Sequence, residues 1–342
     1  MRDDAVSREA HELYAQSDVI DLHLDSFIWT RIFGYDLRKA HGQGIFGDRF
    51  YSHTDFPRCL EAGLTGATWI ITTNPIRPSR NRRDTFFRNL ARLEGLFACE
   101  HERFAIVKTA AEYDAARAAG KHGAFLGIQG GNALDFDLDD LQALRQRILR
   151  ITLVHLTSSK LGATSAPYGR GFHRRDGLTD LGRDYVRVCN QEKIFVDLAH
   201  ISRRAFFDAV AVHDKSQPLL VTHTGIAGVY EHWRNLTDEQ VKAVADTGGT
   251  VGVMFQADFL GRRDVSVETI VDHLEHLVAV AGEGAASIGT DYDGAIVPPT
   301  DMPNPMSMPK LVDAMLRRGF STDLVQKILG GNALRVIRSL RG

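Results

Sequence analysis

Short, nearly continuous apolar runs rich in β-branched residues recur along the chain at residues 19–25, 67–72, 123–129, 148–155, 194–200, 219–223, 250–255 and 286–291. A further short run, 104–108, reads as a strand outside this set. Between them lie stretches whose apolar residues repeat with helical spacing, among them 85–98, 179–191, 238–246 and 267–281. Strands alternating with helices predict a parallel sheet, and apolar character on both strand faces is what helices covering the outside require. Eight such units predict an α/β protein of the (β/α)8 TIM barrel class. Thr237 followed three positions on by Gln240 predicts a capping box, with Gly248 and Gly249 as the stop. Thr322 is the expected start of a last helix that ends on Gly330 and Gly331. No composition break or flexible linker divides the chain, so residues 1–342 are expected to form one hydrolase-type barrel domain. The longest irregular stretches, 29–54, 165–179 and 298–309, are expected to roof a site.

Polar residues interrupt this pattern at the ends of the strands. The first run reads VIDLHLDSF, with His23 and Asp25 two apart and therefore on one face. The fifth ends at His200 in FVDLAHIS, the sixth at His223 in LLVTHTG, and the eighth in SIGTDYDG with Asp291 and Asp293. Residues at the C-terminal ends of different barrel strands converge on one site. Histidines and carboxylates gathered there make a nitrogen/oxygen metal site suited to zinc. A lone histidine in a core is more often structural; four strand ends bearing ligand-type residues point to a metal. Asp21, Asp197 and Asp293 read as buried supporting groups.

Composition narrows the partners. The formal charge is −2 from 41 basic and 43 acidic side chains, without the concentrated basic face that nucleic-acid binding needs. The densest basic stretch, 77–88, reads as a solvated helix face. Three widely spaced cysteines, Cys59, Cys99 and Cys189, argue against a disulfide scaffold and fit a reducing compartment. The charged N-terminal sequence reads as an amphipathic helix rather than a signal peptide, and no apolar run approaches the roughly 20 residues of a membrane span. A cytoplasmic protein that binds neither membrane nor nucleic acid is the expectation.

HLD in the first run, DLAH in the fifth, THTG followed by HWRNLTDEQ, GTDYDG and the terminal GGNALRVI together resemble the membrane (renal) dipeptidase family of the amidohydrolase superfamily. SHTDFPRCLEAGLTGATW and GLTDLGRDYVRVCN resemble that family's connecting segments, so the similarity spans 19–337. The resemblance implies a barrel hydrolase with two zinc ions that cleaves dipeptides, often with a D-residue at the C-terminal position. It implies that His23 and Asp25 hold one ion and His200 and His223 the other. Asp291 would deprotonate the attacking water, His155 would polarise the scissile carbonyl, and Arg234 would grip the substrate carboxylate. Barrels of this kind commonly pair, which makes a homodimer the expected assembly.

One position departs from the family pattern. Where the resemblance calls for a metal-bridging glutamate at the end of the third run, FLGIQGGNAL places Gln129. A neutral amide offers one good ligand oxygen and cannot readily bridge two cations. Removing a unit charge about 4 Å from a cation forfeits on the order of 4 kcal/mol at an effective dielectric near 20, before desolvation. The second zinc is therefore in doubt. The competing reading is a metal-poor, non-hydrolytic relative that binds or tailors a small molecule. Barrel hydrolases with HxH in the first strand and a bridging lysine fit less well, since Lys160 falls five residues beyond His155.

Overall fold

The computed structural model describes residues 6–74, 76–169 and 176–342. The apolar runs form parallel strands: β1 (Ile20–Leu24), β2 (Gly66–Thr72), β3 (Phe104–Ile106), β4 (His122–Gln129), β5 (Arg150–Thr152), β6 (Phe195–Asp197), β7 (Leu220–Thr224), β8 (Thr250–Val253) and β9 (Ala286–Ile288). All strands except β3 follow one another in the sheet in chain order. β3 pairs with the first half of β4, on the edge that β5 occupies further along. Where the circle closes, Leu24 bridges Tyr292, Asp25 N donates to Tyr292 O at 3.0 Å, and Asp291 N donates to His23 O at 3.2 Å. The architecture is the expected (β/α)8 barrel, with the additional strand outside the ring.

Helices cover the strands because each presents an apolar stripe to them. In the helix Ser79–Cys99 that stripe is Phe86, Leu90, Leu93 and Phe97, and Phe97 stacks on Phe56 at 5.0 Å. The predicted capping box is present: Thr237 and Gln240 bond reciprocally at the start of the helix Asp238–Ala245, and Gly248 follows it with φ 74°. The helix Val267–Ala281 has the predicted limits.

Three expectations need correction. Gly330 and Gly331 do not end the last helix; the helix Thr322–Gln326, capped by Ser321 rather than Thr322, passes through a π turn at Lys327–Gly331 into Asn332–Arg341. Gly330 instead allows close approach, since a methyl there would lie 2.5 Å from Asp18 O. The basic stretch is not wholly solvated: Arg82 is tucked against Asp135 at 2.6 Å and donates to Asn132 O. Several hydrogen-bonded strands are also shorter than their apolar runs, so that β5, β6 and β9 end before His155, His200 and Asp291.

Of the three expected roof segments, 165–179 lies partly outside the described residues. The segment 29–54 does lie over the end of β9: Trp29 Nε1 donates to Asp293 O at 2.7 Å, Phe50 N to Ile296 O at 2.7 Å, and His53 N to Asp293 Oδ1 at 2.9 Å. The segment 298–309 turns into the helix Met308–Arg317.

Candidate metal centre and active site

Strand register builds the site floor. Thr72 pairs with Gln129, Gln129 with Thr152, and Thr152 with Asp197, which sets these side chains in one row across β2, β4, β5 and β6. Above this row the chain leaves the ladder, and His200, Asp291 and Asp293 adopt positive φ of 65°, 62° and 67°. Such conformations are costly for residues other than glycine and concentrate at functional sites. They turn His200 and Asp291 toward the barrel axis, where His23 and His223 already point. One donor atom from each of His23, His223 and Asp291 lies within 4.8 Å of the others. His200 Nε2 is 2.7 Å from His223 Nε2. All four residues are buried.

Hydrogen-bond direction fixes where the imidazole protons sit. Asp197 accepts from Thr222 Oγ1 at 2.8 Å, from Arg150 Nη1 at 2.9 Å, and from Thr152 Oγ1. Because Thr222 gives its only hydroxyl proton to Asp197, its oxygen must accept from His223 Nδ1 at 3.0 Å. His223 therefore presents the Nε2 lone pair to the site, the arrangement a metal ligand needs. His200 Nδ1 lacks a partner, as does Gln129 Oε1. Burial pushes His200 and His223 well below the usual histidine pKa, so both are neutral. His200 Nε2 donates to the His223 lone pair here, and its unpartnered Nδ1 can take that proton when an ion binds between them. This donor set fits a divalent ion held between His200 and His223, with Asp291 in reach.

The expected first-ion ligands have a different environment. Asp25 accepts from Thr72 Oγ1 and, at 3.1 Å, from Gln129 Nε2. A carboxylate only accepts, so the Gln129 amide nitrogen must face it. The same nitrogen lies 3.1 Å from His155 Nε2, which must accept and leaves the His155 proton on Nδ1. Burial of the ring lowers the His155 pKa to about 4, although the residue as a whole is only partly buried. His23 is buried and its pKa also falls to about 4.

Asp291 lies 3.5 Å from His23 Nε2. Burial, with Asp25 adding to it, raises its pKa well above the carboxylate range against the pull of Arg234. Arg234 is itself buried; its Nη2 donates to His223 O at 2.6 Å while Nε has no partner. Asp21 ties β1 to the end of β9, accepting from His23 N and Thr290 N at 3.0 Å each, and burial raises its pKa to about 7. Asp293 accepts from Ser26, His53 N and Thr54 N. Both carboxylates hold backbone in place, as expected of supporting groups. Lys160 is exposed and donates to Ser79, so it does not enter the barrel.

The residue that sequence reasoning missed is Arg150. It is fully buried, reaches Asp197 on one side and His23 Nδ1 at 2.6 Å on the other. The available signal was its phase: Arg150 and Thr152 share a strand face in LRITLVH.

The chain has known relatives. The chain matches the family model for membrane dipeptidase (peptidase family M19) over residues 7–341. An uncharacterized protein from the pqqA 5′ region of Klebsiella pneumoniae is 30% identical over 264 residues, covering 75% of this chain and 96% of that protein. The crystal structure of dipeptidase AC, a metallopeptidase of family M19, superposes with a TM-score of 0.83 at 25% identity, over 95% of this chain and 99% of that one. A metallopeptidase from Rhodobacter sphaeroides, liganded with a phosphinate mimic of the dipeptide L-Ala-D-Ala, gives 0.82 at 24% identity with the same coverage.

Proposed function

The chain belongs to the membrane dipeptidase family, peptidase family M19, a family of metallo-dipeptidases, and from that premise we propose that it hydrolyses the amide bond of dipeptides or dipeptide-like molecules with zinc as its ion. The observation that carries this reading is the meeting of His200, the correctly protonated His223, Asp291 and Arg234 at one rim of the barrel. A divalent ion held there supplies Lewis acidity and lowers the pKa of water bound to it.

The side chains account for the rest. Asp291, buried 3.5 Å from His23 Nε2, takes a proton from the attacking water. As the water oxygen bonds to the carbonyl carbon and the C–N bond breaks, the same proton passes to the leaving amine. His155 offers its Nδ1–H to the carbonyl oxygen. The free Nε–H of buried Arg234 receives the substrate carboxylate, for which a guanidinium is suited. The Rhodobacter sphaeroides relative was solved with a mimic of L-Ala-D-Ala, which supports a C-terminal D-residue as an acceptable substrate here. Among the described residues no helix is long and apolar enough to cross a membrane. The three free cysteines support a cytoplasmic setting.

Asp291→Asn is expected to lower kcat by about 10²–10⁴-fold, the range for loss of a general acid–base group. Full activity of a folded Asp291→Asn protein would overturn the assignment. A second reading, a metal-poor relative that binds or tailors a small molecule, is favoured by Gln129 donating to both Asp25 and His155. It predicts no dipeptide hydrolysis after zinc loading.

A further inference from the structure

A metal-ligating histidine ordinarily donates its second N–H to an acceptor and turns a lone pair toward the ion. His223 does so through Thr222 and Asp197. His23 does the reverse. Its Nδ1 is 2.6 Å from Arg150 Nη2, and a guanidinium has only N–H groups to offer. Nδ1 must therefore accept, which leaves the ring proton of neutral His23 on Nε2. That N–H has no hydrogen-bond partner; it lies 3.5 Å from Asp291 Oδ1 and 3.8 Å from Asp25 Oδ2. The other expected ligand, Asp25, already accepts from Thr72 and Gln129.

We propose that this chain holds a single divalent ion, on His200 and His223 beside Asp291, and that Arg150 and Gln129 occupy the place of a second ion as fixed hydrogen-bond donors to His23, Asp25 and His155. The inference rests on the metallo-dipeptidase reading and adds which half of the centre survives. Arg150 is a permanent positive charge inside the barrel, anchored by Asp197, so it both sets the His23 proton and repels a cation there. Gln129 replaces a negative charge by an amide whose two N–H groups are taken by Asp25 and His155. The two residues act on the same pocket from adjacent strands, β4 and β5. Asp25 and His23 thereby become parts of a hydrogen-bonded wall facing Asp291. His155 is oriented by Gln129 rather than by a ligand to metal.

The test is metal stoichiometry of the whole protein, stripped and then titrated with Mn(II), read by plasma mass spectrometry and electron paramagnetic resonance. The wild type is expected to bind one ion per chain with the signal of an isolated Mn(II). Gln129→Glu alone stays at one, because His23 still presents N–H; Gln129→Glu with Arg150→Met binds two, with a spin-coupled signal. Two coupled ions in the wild type, or in Gln129→Glu alone, overturn the proposal but leave the dipeptidase reading intact. No bound ion removes the reading itself, and the proposal with it. Should the double variant not fold, histidine-ring proton–nitrogen correlation spectra of the zinc-loaded wild type, assigned with His23→Gln, decide: a proton on His23 Nε2 supports the proposal and one on Nδ1 overturns it.

Discussion

Arg234 shows how a single side chain can set substrate class. Its guanidinium is buried, held by one bond to His223 O, and leaves its Nε–H unpaired in a site where an unpaired buried donor is costly. If that donor receives a carboxylate, Arg234→Gln should cut kcat/KM for a free dipeptide by about 10–100-fold, the equivalent of about 1.5–3 kcal/mol for a charged hydrogen bond. Hydrolysis of the corresponding dipeptide amide should change little. Equal losses on both substrates would mean that Arg234 supports the fold of the rim instead. At this scale the sequence was informative where chemistry announces itself by residue type. HLD, DLAH, THTG and GTDYDG carry His23, Asp25, His200, His223 and Asp291, which the structure brings together at one rim. It was silent on proton direction. Whether an imidazole accepts or donates depends on Thr222, Asp197 and Arg150, which come together only through the pairing of β5, β6 and β7. An arginine in an apolar run looks like a surface residue until that register is known.

At the scale of elements, glycines govern how closely the strands that carry the site histidines approach. A methyl placed on Gly289 would lie 1.7 Å from Thr222 O and 3.5 Å from the His223 Cα. Gly289→Ala must therefore push β7 aside, and with it the histidine whose proton is set by Thr222. Overpacking of this kind costs about 1–3 kcal/mol. Chemical denaturation should show a loss of at least that size, accompanied by weaker metal binding; a change under about 0.5 kcal/mol, the scatter of neutral substitutions, would contradict the packing argument. The eight barrel strands and the additional β3 were legible because apolar runs flanked by helical repeats have few other solutions. Their ends were not. Apolar character continues through His155 and His200, but the ladder stops at Thr152 and Asp197 because the backbone there turns to form the site. The double glycine at the end of the chain misled for a related reason: Gly330 serves close packing against Asp18, while the helix absorbs it in a π turn.

For the whole molecule, burying neutral histidines makes the barrel sensitive to acid. His122, remote from the site, accepts from Trp69 Nε1 at 3.2 Å and bonds Leu64 O at 2.8 Å, and burial lowers its pKa from 6.5 to about 4. Between those values the unfolded chain binds a proton that the native protein refuses, so stability falls as pH drops from 6.5 toward 4 and levels below that. The full loss from this residue is about 3 kcal/mol. The stability gap between wild type and His122→Gln should therefore shrink by roughly that amount over the same window, measured by denaturant unfolding. A gap independent of pH would mean that His122 titrates normally. The same barrel that buries these groups also joins strands distant in sequence into one rim, through the pairing of Leu24 with Tyr292. That closure brings His23 beside Asp291 and gathers residues from separate short motifs at one rim. The most direct measurement is release of free amino acids from L-Ala-D-Ala by the chelated protein and by the same protein reloaded with zinc. Hydrolysis absent after chelation and restored by zinc is the expected result; no hydrolysis of this or any other dipeptide by protein shown to carry zinc would contradict the account.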